Sequence, residues 1–311
     1  MSRLELLPFS DEHLEDAAGL LAARHARHRE AEPLLPELED PVAAVENDWR
    51  ADGASGVFAS RAGKPAAYLI GAPVTIWSGP TWTRVNVAGL ALDGDPETMR
   101  DVYAAAAQRW VDEGQEKHAV FVPSFDSQLI DAWFRLGFGA SAALALRETE
   151  QTEAFEADVD IRPGTPDDYE DAARLELEMS KSMLPAPSFS DVPLQALDEV
   201  VAEWREGDGN EYELFVAERE GRVVGQFLLY RRPPDLRVPQ DSIDLAQAST
   251  APEARGTGVG RALTAHVLRW AHEHGYPVMT TDWRMTNLWA SRFWPKRGFR
   301  PVFLRLYRHI P

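Results

Sequence analysis

The sequence predicts a two-domain α/β protein, and three observations carry that expectation. Its 311 residues are enough for two separate hydrophobic cores. The chain repeats itself at roughly half its length. In the second copy a strand-like run, a glycine-rich loop and an amphipathic helix follow one another directly, which is the order of an α/β unit.

The repeat can be followed element by element. Glu15-Asp-Ala-Ala18 returns as Glu170-Asp-Ala-Ala173, early in a helix-like stretch. Val57-Phe-Ala-Ser-Arg-Ala-Gly-Lys64 is matched by Phe215-Val-Ala-Glu-Arg-Glu-Gly-Arg222, each a strand, a glycine turn and a returning strand. Arg109-Trp110 answers to Arg269-Trp270, and Trp133-Phe-Arg-Leu-Gly-Phe138 to Trp294-Pro-Lys-Arg-Gly-Phe299. Four pairs in one order point to duplication. The acidic stretch from Glu148 to Asp160 is the expected linker, which divides the chain near Ala157 into domains 1–156 and 157–311.

The segment richest in chemistry is Thr250-Ala-Pro-Glu-Ala-Arg-Gly-Thr-Gly-Val-Gly-Arg-Ala262. It follows the apolar run Ile243 to Ser249 and opens a helix expected to reach about His274. Gly256, Gly258 and Gly260 allow a sharp turn and leave backbone N–H groups uncovered. The first turn of a helix adds unpaired donors and the positive end of the macrodipole, so an anion, above all a phosphate, is the expected ligand. Arg255 and Arg261 bracket the loop, and the amides of Thr257 and Val259 lie inside it. A dinucleotide fingerprint would need glycine at position 261, and no Gly-Lys-Ser/Thr follows as an ATP loop would require. Further on, Val278-Met-Thr-Thr-Asp-Trp283 reads as a buried strand, followed by Asn287-x-x-Ala290-x-x-Phe293-Trp294-x-x-x-Gly298-Phe299.

These two elements, in this order and spacing, resemble the Arg/Gln-x-x-Gly-x-Gly/Ala loop and the Asn-x-x-Ala-x-x-Phe-Tyr-x-x-x-Gly-Phe element of the GNAT acyltransferases. The matching loop positions here are Arg255, Gly258 and Gly260. The tandem layout is similar to that of the mycothiol synthase type. The resemblance implies two tandem acyl-CoA N-acyltransferase-like domains, each a mixed, mostly antiparallel sheet flanked by helices. It also implies an N-acetyltransferase that uses acetyl-CoA as cosubstrate, with the loop from Arg255 to Arg261 holding the diphosphate. Ala248, Ser249 and Thr250 would pair with the pantetheine arm as an added strand. Asn287 would either bond that arm or cap the helix that follows it.

The first half departs from this pattern. Where the loop would stand it has Asp95-Pro-Glu-Thr-Met-Arg100, without glycines and with carboxylates in the place of phosphate. It is expected to keep the fold without the cofactor. An acceptor ammonium must lose a proton before it attacks, so a general base is needed. By resemblance Asp244 takes that place, sharing a strand face with Ala246, Ala248 and Thr250, and Asp282 is the alternative. The family's acid is the Tyr of Phe-Tyr; here it is Trp294, an N–H donor with no useful acidity, so Tyr307 is the substitute and packing is the expected role of Trp294. A non-catalytic coenzyme A sensor or scaffold is the competing reading. The stretches Met179 to Pro193 and Arg231 to Pro239 are expected as loops near the acceptor pocket.

Composition bounds the rest. No cysteine is present, which removes disulfides, thiolate catalysis and thiolate-ligated metals, and no metal site is expected. The net charge of −18 argues against nucleic acid and anionic membranes as partners. From Ile243 to Pro311 ten Lys/Arg face four Asp/Glu, a local +6 within an acidic chain. His25 and His28, with Arg24, Arg27 and Arg29, are expected as a solvated basic helix face. With no apolar run of spanning length, a cytoplasmic protein is expected, a monomer or homodimer acting on a small-molecule amine.

Overall fold

The chain turns on itself first at a hairpin that recurs in the second half, and the computed structural model, which describes residues 3–75, 81–150, 154–190, 192–206 and 212–311, shows both copies. It resolves into two units. The first consists of Met1–Ala143 with Asp235–Arg237 and Pro301–Pro311, the second of Leu144–Pro234 with Val238–Arg300. The first boundary between these units falls inside a strand at Ala143, and each unit also takes in residues from across the midpoint of the sequence.

In the first unit the elements are β1 (Leu4–Pro8), α1 (Leu14–Ala31), α2 (Pro41–Trp49), β2 (Ser55–Arg61), β3 (Lys64–Thr75), β4 (Thr81–Val85), β5 (Leu90–Leu92), α3 (Glu97–Asp112), β6 (Lys117–Pro123), α4 (Ser127–Arg135) and the start of β7 (Gly139–Glu148). Antiparallel pairing joins β1 to β2, β2 to β3, and β3 to both β4 and β5. β4 and β6 run parallel, and the chain's last strand, Arg300–His309, pairs antiparallel with β6 from Phe303 opposite Pro123 to His309 opposite Lys117. Leu306 of that strand is fully buried with Met99, Val122 and Trp133 in the core of this unit.

The basic face of α1 is solvated only in part: Arg27 is exposed and Arg29 half-buried, whereas the other three residues turn inward, contrary to expectation. Arg24, His25 and His28 are 2%, 2% and 1% exposed. Arg24 Nη1 donates to the Leu90 carbonyl at 2.6 Å and Arg27 Nη2 reaches the Leu92 carbonyl at 3.5 Å. Arg24 packs inward by satisfying a strand carbonyl that no neighbouring strand takes. His28 lies between the rings of Phe125 and Phe303. Burial first, then nearby Arg24, pushes its pKa down to about 3. The unfolded imidazole, near 6.5, binds a proton before the folded one does, so stability is lost as pH falls below 6.5. We expect about 2 kcal/mol to disappear between pH 7 and pH 5 from this group. Urea melts should show that slope, and His28→Phe, which keeps the ring packing, should flatten it.

The second unit contains the end of β7, then β8 (Asp160–Pro163), α5 (Tyr169–Ser182), α6 (Leu197–Glu206), β9 (Tyr212–Arg219), β10 (Arg222–Tyr230), β11 (Ser242–Thr250), α7 (Val259–Glu273), β12 (Val278–Arg284) and α8 (Leu288–Phe293). β8, β9, β10 and β11 pair antiparallel in sequence order, and β12 joins β11 in parallel. Arg300 and Arg147 hold the recruited segment: Arg300 pairs with Glu148 at 2.8 Å, and Arg147 donates to the Arg297 carbonyl.

The duplication read from sequence is visible in local geometry. A reciprocal capping box starts each half, Ser10 with His13 and Thr165 with Asp168, ahead of α1 and α5. The hairpin turns carry the same pair of left-handed residues, Ala62 and Gly63 at φ 52° and 72°, Glu220 and Gly221 at 52° and 73°. That is the two-residue turn whose twist suits a right-handed hairpin. Trp133 meets Phe138 edge-on at 4.8 Å, and Trp294 meets Phe299 edge-on at 5.4 Å.

Candidate active site

The cleft in the second unit follows from one irregularity. β11 and β12 pair only from Ser242 opposite Val278 to Leu245 opposite Thr281. Beyond that point β11 stays on β10, but the register shifts: Leu229 faces Leu245 and Leu228 faces Gln247, so Ala246 is a bulge residue. Ala251 N–H donates to the Val224 carbonyl at 2.9 Å. By the alternation of an antiparallel ladder, Ala248 and Thr250 then turn their backbone groups away from β10, into the gap that β12 has left. The result is a cleft of about 810 Å³.

At one end of the cleft lies the glycine loop. Gly256 and Gly258 have φ of 78° and 96°, and Gly258 is the residue before the first turn of α7. Val259, Leu263 and Val267 anchor that helix in the core, which fixes the direction of its N-terminus. Among the described residues no backbone carbonyl outside the helix takes the N–H groups of Gly256, Gly258, Val259 or Gly260. The Thr257 amide is turned inward to the Ala254 carbonyl, at 3.4 Å. A side chain at Gly258 would meet the Phe155 ring at 3.0 Å, so the loop is bounded on that side.

Cations surround it. Arg255, Arg261, Arg284, Arg292, Lys296 and Arg297 all line the cleft. Three guanidinium groups lie on aromatic faces: Arg255 over Trp289 and Arg297 over Phe293, each at 4.5 Å, and Arg261 over Phe155 at 4.0 Å. Burial, and after it Arg261, lowers the pKa of Arg297. Packing like charges this way is unfavourable unless an anion joins them. Asp282 is the one carboxylate among the described cleft residues, and its side chain is exposed.

Several residues expected at this site are placed elsewhere. Asp244 is a correction: its side chain is 3% exposed, 3.1 Å from Arg232, and accepts from the Thr280 hydroxyl at 2.5 Å, and it does not line the cleft. The bulge at Ala246 changes the parity of the strand, so Asp244 shares a face with Gln247 and Ser249, not with Ala248 and Thr250. Tyr307 belongs to the first unit, 43% exposed with its ring edge-on to Trp82. Asn287 lines the cleft and also caps α8, its Oδ1 accepting from the amides of Trp289 and Ala290 at 3.1 Å. Trp294 is 6% exposed and packs on Phe227, Phe293 and Phe299. Met179 is helical, since α5 continues to Ser182, while no residue from Arg231 to Pro239 lines the cleft.

Two groups had gone unnoticed in the sequence. Glu176 on α5 accepts from Gln247 Nε2 at 2.8 Å and from Trp204 Nε1 at 2.9 Å. Gln226, fully buried, donates to Ser249 Oγ at 3.0 Å. Only the helical spacing of Glu176, Met179 and Met183 hinted at the first.

Residues 178–299 match the model of the acetyltransferase (GNAT) family. Solved structures share the fold over the full length. A GNAT N-acetyltransferase from Sphaerobacter thermophilus aligns at TM-score 0.62 with 14% identity, covering 98% of this chain and 95% of that one. A tandem GNAT protein from the clavulanic acid biosynthesis pathway aligns at TM-score 0.52 with 15% identity, covering 99% and 98%. A glucosamine N-acetyltransferase region of a fungal multi-domain β-N-acetylglucosaminidase gives 0.58 and 14%, covering 99% of this chain and 38% of that one. No curated protein matches the chain. Among the described residues no helix is long and apolar enough to cross a membrane.

Proposed function

We propose that the second unit transfers an acetyl group from acetyl-CoA to the amine of a small molecule. The observation that carries this is the parting of β12 from β11 after Leu245, which turns the backbone groups of Ala248 and Thr250 toward a gap ending at the glycine loop. The cosubstrate supplies an acyl group activated as a thioester. Ala248 and Thr250 hold the pantetheine arm as an added strand, with Ser249 between them keeping the edge on β10. The amides of Gly256, Gly258, Val259 and Gly260 receive the diphosphate, while Arg255, Arg261 and Arg297 neutralise it. Asp282 accepts the proton of the acceptor ammonium. The freed nitrogen forms its bond to the acyl carbon as the carbon–sulfur bond breaks, and solvent protonates the leaving thiolate. Trp294 contributes packing.

The first unit has neither opening. Arg24 and Arg27 take the carbonyls of Leu90 and Leu92, which the hairpin repeat aligns with Ala248 and Thr250. Asp95 Oδ1 accepts from the Glu97 amide at 3.0 Å, so a carboxylate already sits where a phosphate would. Its role in this reading is support.

Calorimetry with coenzyme A and release of free thiol from acetyl-CoA across an amine panel test the proposal. Binding with turnover is expected, and Asp282→Asn should lower kcat about a hundredfold with cofactor affinity preserved. Binding without turnover on any amine would favour a sensor, and absence of binding would remove both readings.

A further inference from the structure

The acyltransferase reading leaves the acceptor open, and the cleft wall formed by α5 narrows it. Glu176 and Met179 stand three apart on one face of α5, and Met183, the residue that caps the end of that helix, follows four further on. Met179, Ser182 and Met183 reach the cleft, where Phe227, Leu245 and Trp294 continue the apolar surface. Methionines form an adaptable wall for an apolar body.

A carboxamide interrupts that surface. Gln247, next to the bulge, lines the cleft and is tied to Glu176. A carboxylate only accepts, so the bond to Glu176 must come from the Gln247 amide nitrogen, which fixes which way the carboxamide points. Its oxygen is turned away from Glu176. Gln226 Nε2, with two protons to give, donates to it at 3.5 Å and to Ser249 Oγ at 3.0 Å. The Gln247 oxygen keeps a second lone pair for a ligand and is a neutral acceptor, held in one orientation from behind. Glu176 is the weaker ammonium site, because each of its oxygens already accepts a hydrogen bond and burial pushes its pKa up.

The charge balance points the same way. Six cations and one carboxylate line the cleft, a surplus of 6 − 1 = +5. A bound diphosphate and phosphomonoester bring roughly four negative charges. No negative surplus is left for a polycation, and each further ammonium would be desolvated without a partner.

We infer that the acceptor is a monoamine carried on an apolar body, its nitrogen received by the Gln247 carbonyl oxygen and its body lying against Met179 and Met183. Glu176 acts as a positioning residue. This rests on the acyltransferase reading, and the two can fail separately.

The test uses the full-length protein with three measurements. Calorimetry with coenzyme A comes first; absence of binding rejects the acyltransferase reading itself. Thiol release from acetyl-CoA is then compared for phenethylamine, tryptamine and hexylamine against spermidine, kanamycin and glucosamine. We expect kcat/KM for the apolar monoamines to be higher by about tenfold or more. Binding of coenzyme A with a preference for the second set, or with transfer to neither, overturns the inference. Last, Glu176→Gln should raise KM for the monoamine about tenfold at unchanged coenzyme A affinity, since Gln247 loses the partner that orients it. Met183→Glu should shift preference toward spermidine; an unchanged amine preference in both variants would also overturn it.

Discussion

Gly258→Glu is expected to weaken coenzyme A binding by about a hundredfold or more, the loss of roughly 2.7 kcal/mol. Two effects add. Gly258 has φ of 96°, a conformation in which an L side chain costs about 1–2 kcal/mol, and the added atoms would press on the Phe155 ring. The new carboxylate would also stand at the positive end of α7, where the diphosphate is to sit, and repel it. Gly258→Ala separates the two: strain alone should weaken binding by about tenfold. The fold should survive both changes, since α7 is fixed by Val259, Leu263 and Val267 in the core. Isothermal calorimetry beside thermal melts reads affinity and folding independently. Wild-type affinity in the glutamate variant would put the diphosphate somewhere else.

Asp244→Ala should act on stability instead of chemistry. The carboxylate is buried, its oxygens engaged by Thr280 and Arg232. Removing one member of such a pair is costly because the other is left uncompensated; here Arg232 is about a third exposed, and water moderates the loss. We expect a destabilisation of about 2–4 kcal/mol in urea melts. The folded fraction should bind coenzyme A as wild type does and transfer at the same rate. A drop in kcat with unaltered stability would return Asp244 to the catalytic role that counting back from Arg255 suggests.

That contrast shows what a sequence can disclose. The glycine loop was readable because positive φ and a bare amide surface admit few residue types, and Gly256 and Gly258 have the φ values the loop needs. The aromatic pair Trp294 and Phe299 was readable as packing because Trp133 and Phe138 repeat it. Asp244 was placed on the wrong side by one extra residue: alternation along β11 holds only until Ala246, and no residue type announces that bulge. Tyr307 failed for a different reason. A strand's pattern says that it pairs, not with which partner, and the last strand pairs with β6. Arg24 departs from the solvated face expected of α1 because charge does not by itself mean solvent: the Leu90 carbonyl, unpaired in its strand, takes its donor. Glu176 gave no signal beyond helical spacing, since its partner Gln247 is 71 positions away.

The path of the last strand bears on how the molecule can be cut. Severing the chain at the apparent midpoint would deprive the N-terminal piece of Leu306, a side chain of its own interior, and leave β6 with an exposed edge. The C-terminal piece would lose Arg147 and Glu148, the partners of Arg297 and Arg300. Neither fragment is then a self-sufficient domain. Expressed apart they should aggregate or stay unfolded, and mixing them should restore a soluble whole, so the duplicated ancestor has become a molecule whose halves are mutually obligate.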